Sequence, residues 1–162
     1  MKEESQRKIY HYLKKKKIQN FLGVPDSTLK FFIDECIKNK NIIITTREEE
    51  AMGIATGMAL SNSSSLVFLQ NAGFANSIST ITSLIQLYEI PLIFLIGWRG
   101  YLQDDAPEHL KIGKIQPDLL KIIGLKSQII TENNWKTKCD WAIKQIKEKK
   151  PCALIIRRMF HD

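Results

Sequence analysis

Cysteine is scarce in this sequence. There are three, Cys36, Cys139 and Cys152, far apart and odd in number. No two form a CxxC pair, so neither a zinc site nor a disulfide framework is indicated, and a reducing cytoplasm is the expected compartment. Long apolar runs are missing as well: none approaches the roughly 20 residues that a membrane-spanning helix needs. Residues 1–17 are highly charged and lack an apolar signal core. Internal repeats, low-complexity stretches and linkers are also absent, so a single domain over residues 1–162 is expected. Acidic side chains are in deficit, 17 against 24 basic ones, a net charge of +7. Such an excess can serve a nucleic acid. Here the lysines are scattered over apparent solvent faces, and no aromatic-basic recognition motif accompanies them. The expectation is therefore no nucleic-acid partner; a positive field suits an anionic substrate or an acidic partner chain equally well.

What is present is an alternation of strands and helices. Leu29, Phe32, Ile33, Cys36 and Ile37 form one helical stripe. Ile42–Ile44 reads as a strand buried on both faces. Arg47–Leu60, rich in Ala, Met and Glu, reads as a helix with an unusually smooth surface at Gly53 and Gly57. Leu66–Leu69 and Pro91–Ile96 read as buried strands, with an amphipathic helix between them over Phe74–Tyr88. Residues 97–113 break the pattern as a polar loop, and Pro117 and Gly124 suit the start and end of a helix. Trp135, Cys139, Ala142, Ile143 and Ile146 stripe the last helix. The fold class expected is α/β: three layers with a mostly parallel central sheet. Ligands of such sheets bind beyond the carboxyl ends of the strands. That rule selects residues 25–28, 46–50, 70–74 and 97–109.

Chemistry concentrates in those segments. Glu48, Glu49 and Glu50 crowd the first turn of a helix. Acids there stabilise the helix through its dipole, but Glu48 directly follows a strand, where a carboxylate can be desolvated and made useful in proton exchange. Asp26 and Ser27 sit at a strand-to-helix turn, as a cap or facing a ligand. His109 lies in the long loop, either solvated or poised to relay protons. Arg99 suits an anion or a neighbouring carboxylate. Trp98 fits an interface or simple packing.

Six phrases occur in order: Gly23-Val24-Pro25-Asp26-Ser27, Arg47-Glu48-Glu49-Glu50, Gln70-Asn71-Ala72-Gly73, Tyr88-Glu89-Ile90-Pro91-Leu92, Gly97-Trp98-Arg99-Gly100 and Glu108-His109. Together they make residues 20–125 resemble the pyrimidine-binding domain of thiamine-diphosphate-dependent decarboxylases. The likeness is specifically to phosphonopyruvate decarboxylases and the α subunits of sulfopyruvate decarboxylases. The resemblance implies that Glu48 is the catalytic glutamate that hydrogen-bonds the cofactor's aminopyrimidine. It implies that Gln70, Asn71 and Gly73 lie against the cofactor or across the subunit boundary, and that Asp26, Ser27, Arg99 and His109 face the substrate, with His109 also catalytic. The hard chemistry in such enzymes is the cofactor's.

The family's diphosphate signature, Gly-Asp-Gly followed by Asn, is missing. The resemblance then implies a split enzyme, in which a separate β subunit carries the Mg²⁺ and diphosphate site. This chain is expected to hold no metal and to be inactive without that partner. Both family substrates are 2-oxo acids with an anion at C3. Gly23–Ser27 and Gly97–Gly100 look more like the phosphonopyruvate enzyme, whereas Arg47–Glu50 and the short chain look more like the sulfopyruvate one. The remaining readings are a regulatory homologue without catalysis and a basic nucleic-acid-binding domain.

Overall fold

The computed structural model describes residues 1–158; the last four positions of the expected domain, 159–162, lie outside the described residues. Strands β1 (Asn20–Gly23), β2 (Ile43–Ile44), β3 (Ser65–Gln70), β4 (Leu92–Trp98), β5 (Ser127–Ile130) and β6 (Cys152–Arg157) form one sheet. Its order is β2-β1-β3-β4-β6-β5, and every pairing is parallel. The helices are α1 (Glu3–Lys15), α2 (Lys30–Lys38), α3 (Glu48–Leu60), α4 (Asn71–Asn76), α5 (Ile78–Thr80), α6 (Pro107–Ile122) and α7 (Trp135–Lys147). α1, α2 and α7 pack on one face of the sheet, and α3 to α6 on the other. With both faces covered, Leu66–Leu69 and Leu92–Ile96 are wholly buried, which is why these strands are continuous apolar runs rather than alternating ones. The three-layer α/β/α architecture stands as expected.

The chain leaves β1 toward β2 on one side, and β3 lies on β1's other side. The carboxyl ends of β1 and β3 therefore flank a topological switch point, where such sheets open a crevice for ligands.

Three local expectations are corrected. The strand around Ile42–Ile44 is not buried on both faces. β2 is an edge of two residues, paired only with Leu22 and Gly23, and Ile43 and Ile44 are exposed. The helix expected from Phe74 to Tyr88 is divided: α4 and α5 run into a π-helical turn over Ile81–Gln86. Ser77, Thr82 and Ser83 return their hydroxyls to the carbonyls of Gly73, Ile78 and Ser79, four residues back, a bond that loosens a helical ladder.

The third correction concerns the polar loop. α6 starts at Pro107, not Pro117, so His109 belongs to its first turn and the loop shrinks to residues 99–106. Pro107 occupies the first turn, where its missing N–H is not needed. Pro117 sits inside the helix, where it leaves the carbonyl of Gly113 without its usual donor. The indole of Trp98 supplies one, Nε1 donating to that carbonyl at 2.8 Å. Trp98 is thus buried as part of the α6 seat, a role its sequence context left open. Gly113 also lets α6 approach β4's exit: a Cβ there would meet the Gly100 carbonyl oxygen at 2.2 Å.

Candidate functional site at the switch point

Each predicted segment reaches the same end of the sheet. α3 begins where the β2 edge ends, and its three acids separate in role. Glu50 is a cap: its Oε2 accepts from the backbone N–H and the hydroxyl of Thr46, both at 3.1 Å. Glu48 makes no hydrogen bond among the described residues. Its carboxylate lies half-buried against Gly73 of α4, where a Cβ would come within 2.0 Å of Oε1. Only a residue without a side chain permits that seat. A carboxylate held at the sheet's ligand-binding end yet unused by the protein is available to something else.

Asp26 follows β1 and is 5% exposed. It does not cap the short 3₁₀ turn Ser27–Leu29 that precedes α2. Instead Gln70, at the end of β3, donates from Nε2 to its Oδ1 at 3.1 Å, which joins β1 to β3 across the switch. Its Oδ2 has no partner among the described residues and fills the space beside Gly97, where a Cβ would meet it at 1.9 Å. An orphaned buried oxygen is costly unless something bonds it. Ser27 is exposed beside this position.

Asn71 is buried and ties β3 to β4. It donates to the Arg99 carbonyl at 3.0 Å and accepts from the Arg99 N–H at 3.1 Å. The Arg99 guanidinium does not stand free for an anion. It pairs with Asp105, 2.6 Å from Nη2 to Oδ1. Asp105 also accepts from the N–H groups of Gly100 and Ala106, each at 2.8 Å. Sequence reasoning passed over Asp105; a carboxylate just ahead of a Pro-initiated helix was the available signal. Burial works against its ionisation, but the Arg99 and backbone hydrogen bonds outweigh that and hold its carboxyl well below the usual carboxylate range. The His109 side chain is 13% exposed, with Nε2 4.0 Å from Glu108 Oε1. Its own carbonyl packs on Gly100, so the Arg99–Asp105 clamp and the first turn of α6 form one unit.

That clamp carries a stability prediction. Asp105→Ala strands a largely covered guanidinium and is expected to cost about 3 kcal/mol, read as a lowered denaturation midpoint. Because the folded pKa is depressed, the contribution is complete above the ordinary carboxylate range and is lost as pH falls through and below it. The variant's midpoint is therefore expected to fall less than the parent's on acidification; equal acid sensitivity would refute the clamp's role. The three cysteines are buried and free. Burial pushes the Cys139 and Cys152 thiols up to about 12, and Cys36 higher than its ordinary value too, so none offers a thiolate at neutral pH.

Comparison with known proteins decides the family. The profile of the thiamine pyrophosphate enzyme N-terminal TPP-binding domain matches residues 5–120. The chain belongs to that family. A sulfopyruvate decarboxylase α subunit of Methanocaldococcus jannaschii is 36% identical over 116 residues, covering 70% of this chain and 69% of that one. A phosphonopyruvate decarboxylase of Streptomyces viridochromogenes is 31% identical over 113 residues, which span 68% of this TPP-binding domain chain and 28% of the longer protein. In fold, the thiamine diphosphate-dependent 4-hydroxybenzoylformate decarboxylase of Rhodococcus jostii RHA1 superposes with a TM-score of 0.73. It covers 97% of this chain and 34% of that one at 16% identity, a likeness of fold alone. The residues of this TPP-binding domain fit a pyrimidine: an unengaged carboxylate, Glu48, stands over a side-chain-free floor at Gly73.

Proposed function

We propose that this chain is the α subunit of a split thiamine-diphosphate-dependent 2-oxo acid decarboxylase. The observation that carries the reading is Glu48, seated on Gly73 with no protein hydrogen bond, while Glu50 is spent on the helix cap. Glu48 would accept a hydrogen bond from the bound aminopyrimidine and hold or return a proton there. Gln70, Asn71 and Gly73 would form the wall against which the ring rests, with Asn71 keeping the ends of β3 and β4 in register. Thiamine diphosphate, when bound, supplies the electron sink that lets carbon dioxide leave.

The substrate proposed is a three-carbon 2-oxo acid with an anion at C3, sulfopyruvate or phosphonopyruvate. The relatives named for these substrates support that class, and the relative named as a sulfopyruvate decarboxylase α subunit favours sulfopyruvate. Asp26 and Ser27 would border the substrate at the switch. Because Arg99 is engaged by Asp105, it would position the first turn of α6 rather than grip the anion, leaving His109 as the group toward the substrate. His109→Ala is accordingly expected to lower kcat/KM by about 10- to 100-fold with an unchanged melting midpoint; unaltered kinetics would remove it from the site.

A separate β subunit is proposed to carry the diphosphate and Mg²⁺ site. In support, curated relatives of this chain are named as α subunits. α3 also presents Gly53 and Gly57 outward, with nothing within 4 Å of a Cβ built at either, a surface that a second backbone can approach closely. No helix among the described residues is long and apolar enough to cross a membrane, and a cytoplasmic setting is proposed from the three buried thiols. The test is carbon dioxide release from sulfopyruvate and from phosphonopyruvate, with thiamine diphosphate, Mg²⁺ and the co-expressed partner. Release from one assigns the substrate. Release from neither, with cofactor demonstrably bound, rejects this substrate class.

A further inference from the structure

A second cleft lies away from Glu48, on the far side of the sheet order. It has a volume of about 590 Å³ and opens between α6, the β5 edge and the start of α7. Its walls combine apolar and cationic groups. Leu120 and Ile155 supply apolar surface, and Trp98 closes the end toward β4. Arg157 and Lys138 bring the charge. The Arg157 guanidinium carbon stands 4.2 Å from the Tyr101 ring centroid and 5.2 Å from that of Trp98, and Nη1 donates to the Tyr101 hydroxyl at 3.2 Å. Lys138 is held toward β5 by a 2.7 Å bond to Gln128 Oε1. Among the described residues, no acidic side chain lines the cleft.

Gln116 makes this more than a surface depression. It is wholly buried, lines the cleft, and neither its amide nitrogen nor its amide oxygen finds a partner among the described residues. A buried amide missing both bonds is destabilising for each unmet group. An apolar residue of the same size would have avoided that at no loss of packing, as its neighbours Leu119 and Leu120 show on the same helix. A donor and an acceptor side by side on one group ask for a ligand group that offers the reverse pair. Carboxamides and lactams do so. The two cations beyond it ask for an anion.

We propose that this cleft binds a small organic anion that also carries a carboxamide or lactam group. The amide pairs with Gln116, and the anion reaches Arg157 and Lys138. The inference rests on α6, α7 and β6 and does not depend on the role assigned to Glu48.

The experiment titrates the ¹⁵N-labelled full chain with malonamate, which joins a carboxamide to a carboxylate, and in parallel with malonate and with inorganic phosphate. The Trp98 indole N–H is the reporter, since it is bonded to the Gly113 carbonyl on the cleft wall; Trp141, outside the cleft, is the control. A saturable shift of Trp98 alone is expected. Malonamate should bind more tightly than the two anions that lack an amide, and Gln116→Leu and Arg157→Gln should each weaken it by about tenfold. Should Gln116→Leu disturb the rest of the spectrum, Gln116→Met removes the amide at nearly the same length without adding charge and carries the same test. No saturable shift with malonamate overturns the proposal. So does equal binding of all three probes that is indifferent to Gln116, which would mark nonspecific charge attraction only.

Discussion

Glu48→Gln is expected to fold and melt like the parent chain and to lower turnover of the assembled enzyme by about 10²- to 10⁴-fold. The fold should be indifferent because Glu48 makes no hydrogen bond or ion pair among the described residues, and glutamine has the same shape. Turnover should not be, because an amide cannot hold a proton in transit as a carboxylate does. Two neighbours make the result specific. Glu50→Gln weakens the cap on Thr46 and is expected to cost stability, about 1 kcal/mol or less, with turnover nearly intact. Glu49 bonds neither the cap nor Gly73 in the described structure, and Glu49→Gln should change little. Steady-state carbon dioxide release and thermal melts on the three variants read the difference. A Glu48→Gln enzyme that keeps full activity, with the loss shifted to Glu49→Gln, would move the catalytic carboxylate by one position.

Gly73→Ala is expected to be the most damaging single methyl group in the domain for activity. The added Cβ falls 2.0 Å from Glu48 Oε1 and 2.4 Å from Cδ, closer than any real contact. It also falls 2.7 Å from Cγ, but all that it strikes is one flexible side chain and no backbone, so the chain can yield by rotating the whole Glu48 side chain away. Stability should therefore change by no more than about 1 kcal/mol, while turnover falls by about 10²-fold or more, since misplacement of a catalytic group by an ångström has that effect. If the loss comes through Glu48, the double variant Gly73→Ala/Glu48→Gln should be hardly worse than Glu48→Gln alone. Additive losses would show that the methyl group blocks the cofactor by itself. Retained activity in the single variant would mean that the seat of Glu48 on Gly73 is not the working geometry.

The sheet was legible because its strands obey a one-dimensional rule. Leu66–Leu69 and Leu92–Ile96 are apolar without alternation, as strands covered on both faces must be. The helices α2 and α7 announced themselves by stripes at offsets of three and four. β2 was misjudged for a reason that the same rule cannot see: Ile42–Ile44 looks like a central strand, and only the strand order makes it an edge. The start of α6 was misjudged because a proline inside a helix is normally a boundary. Pro117 is tolerated only because Trp98, from another strand, bonds the carbonyl that it leaves unpaired.

The site divides in the same way. Position at strand ends selected the segments that hold Glu48, Asp26, Gln70, Asn71, Gly73, Arg99 and His109, and the resemblance carried by the ordered phrases implied the roles proposed for them. Those are local properties, carried by side-chain chemistry and spacing along the chain. Tertiary structure alone showed that Glu50 is spent on Thr46 and that Glu48, not Glu49, stands against Gly73. It alone revealed that Arg99 is held by Asp105 and that Gln116, unremarkable in the sequence, is a buried amide without a partner. Whether a polar group is satisfied depends on what the fold brings against it, and that information is not written beside it in the chain.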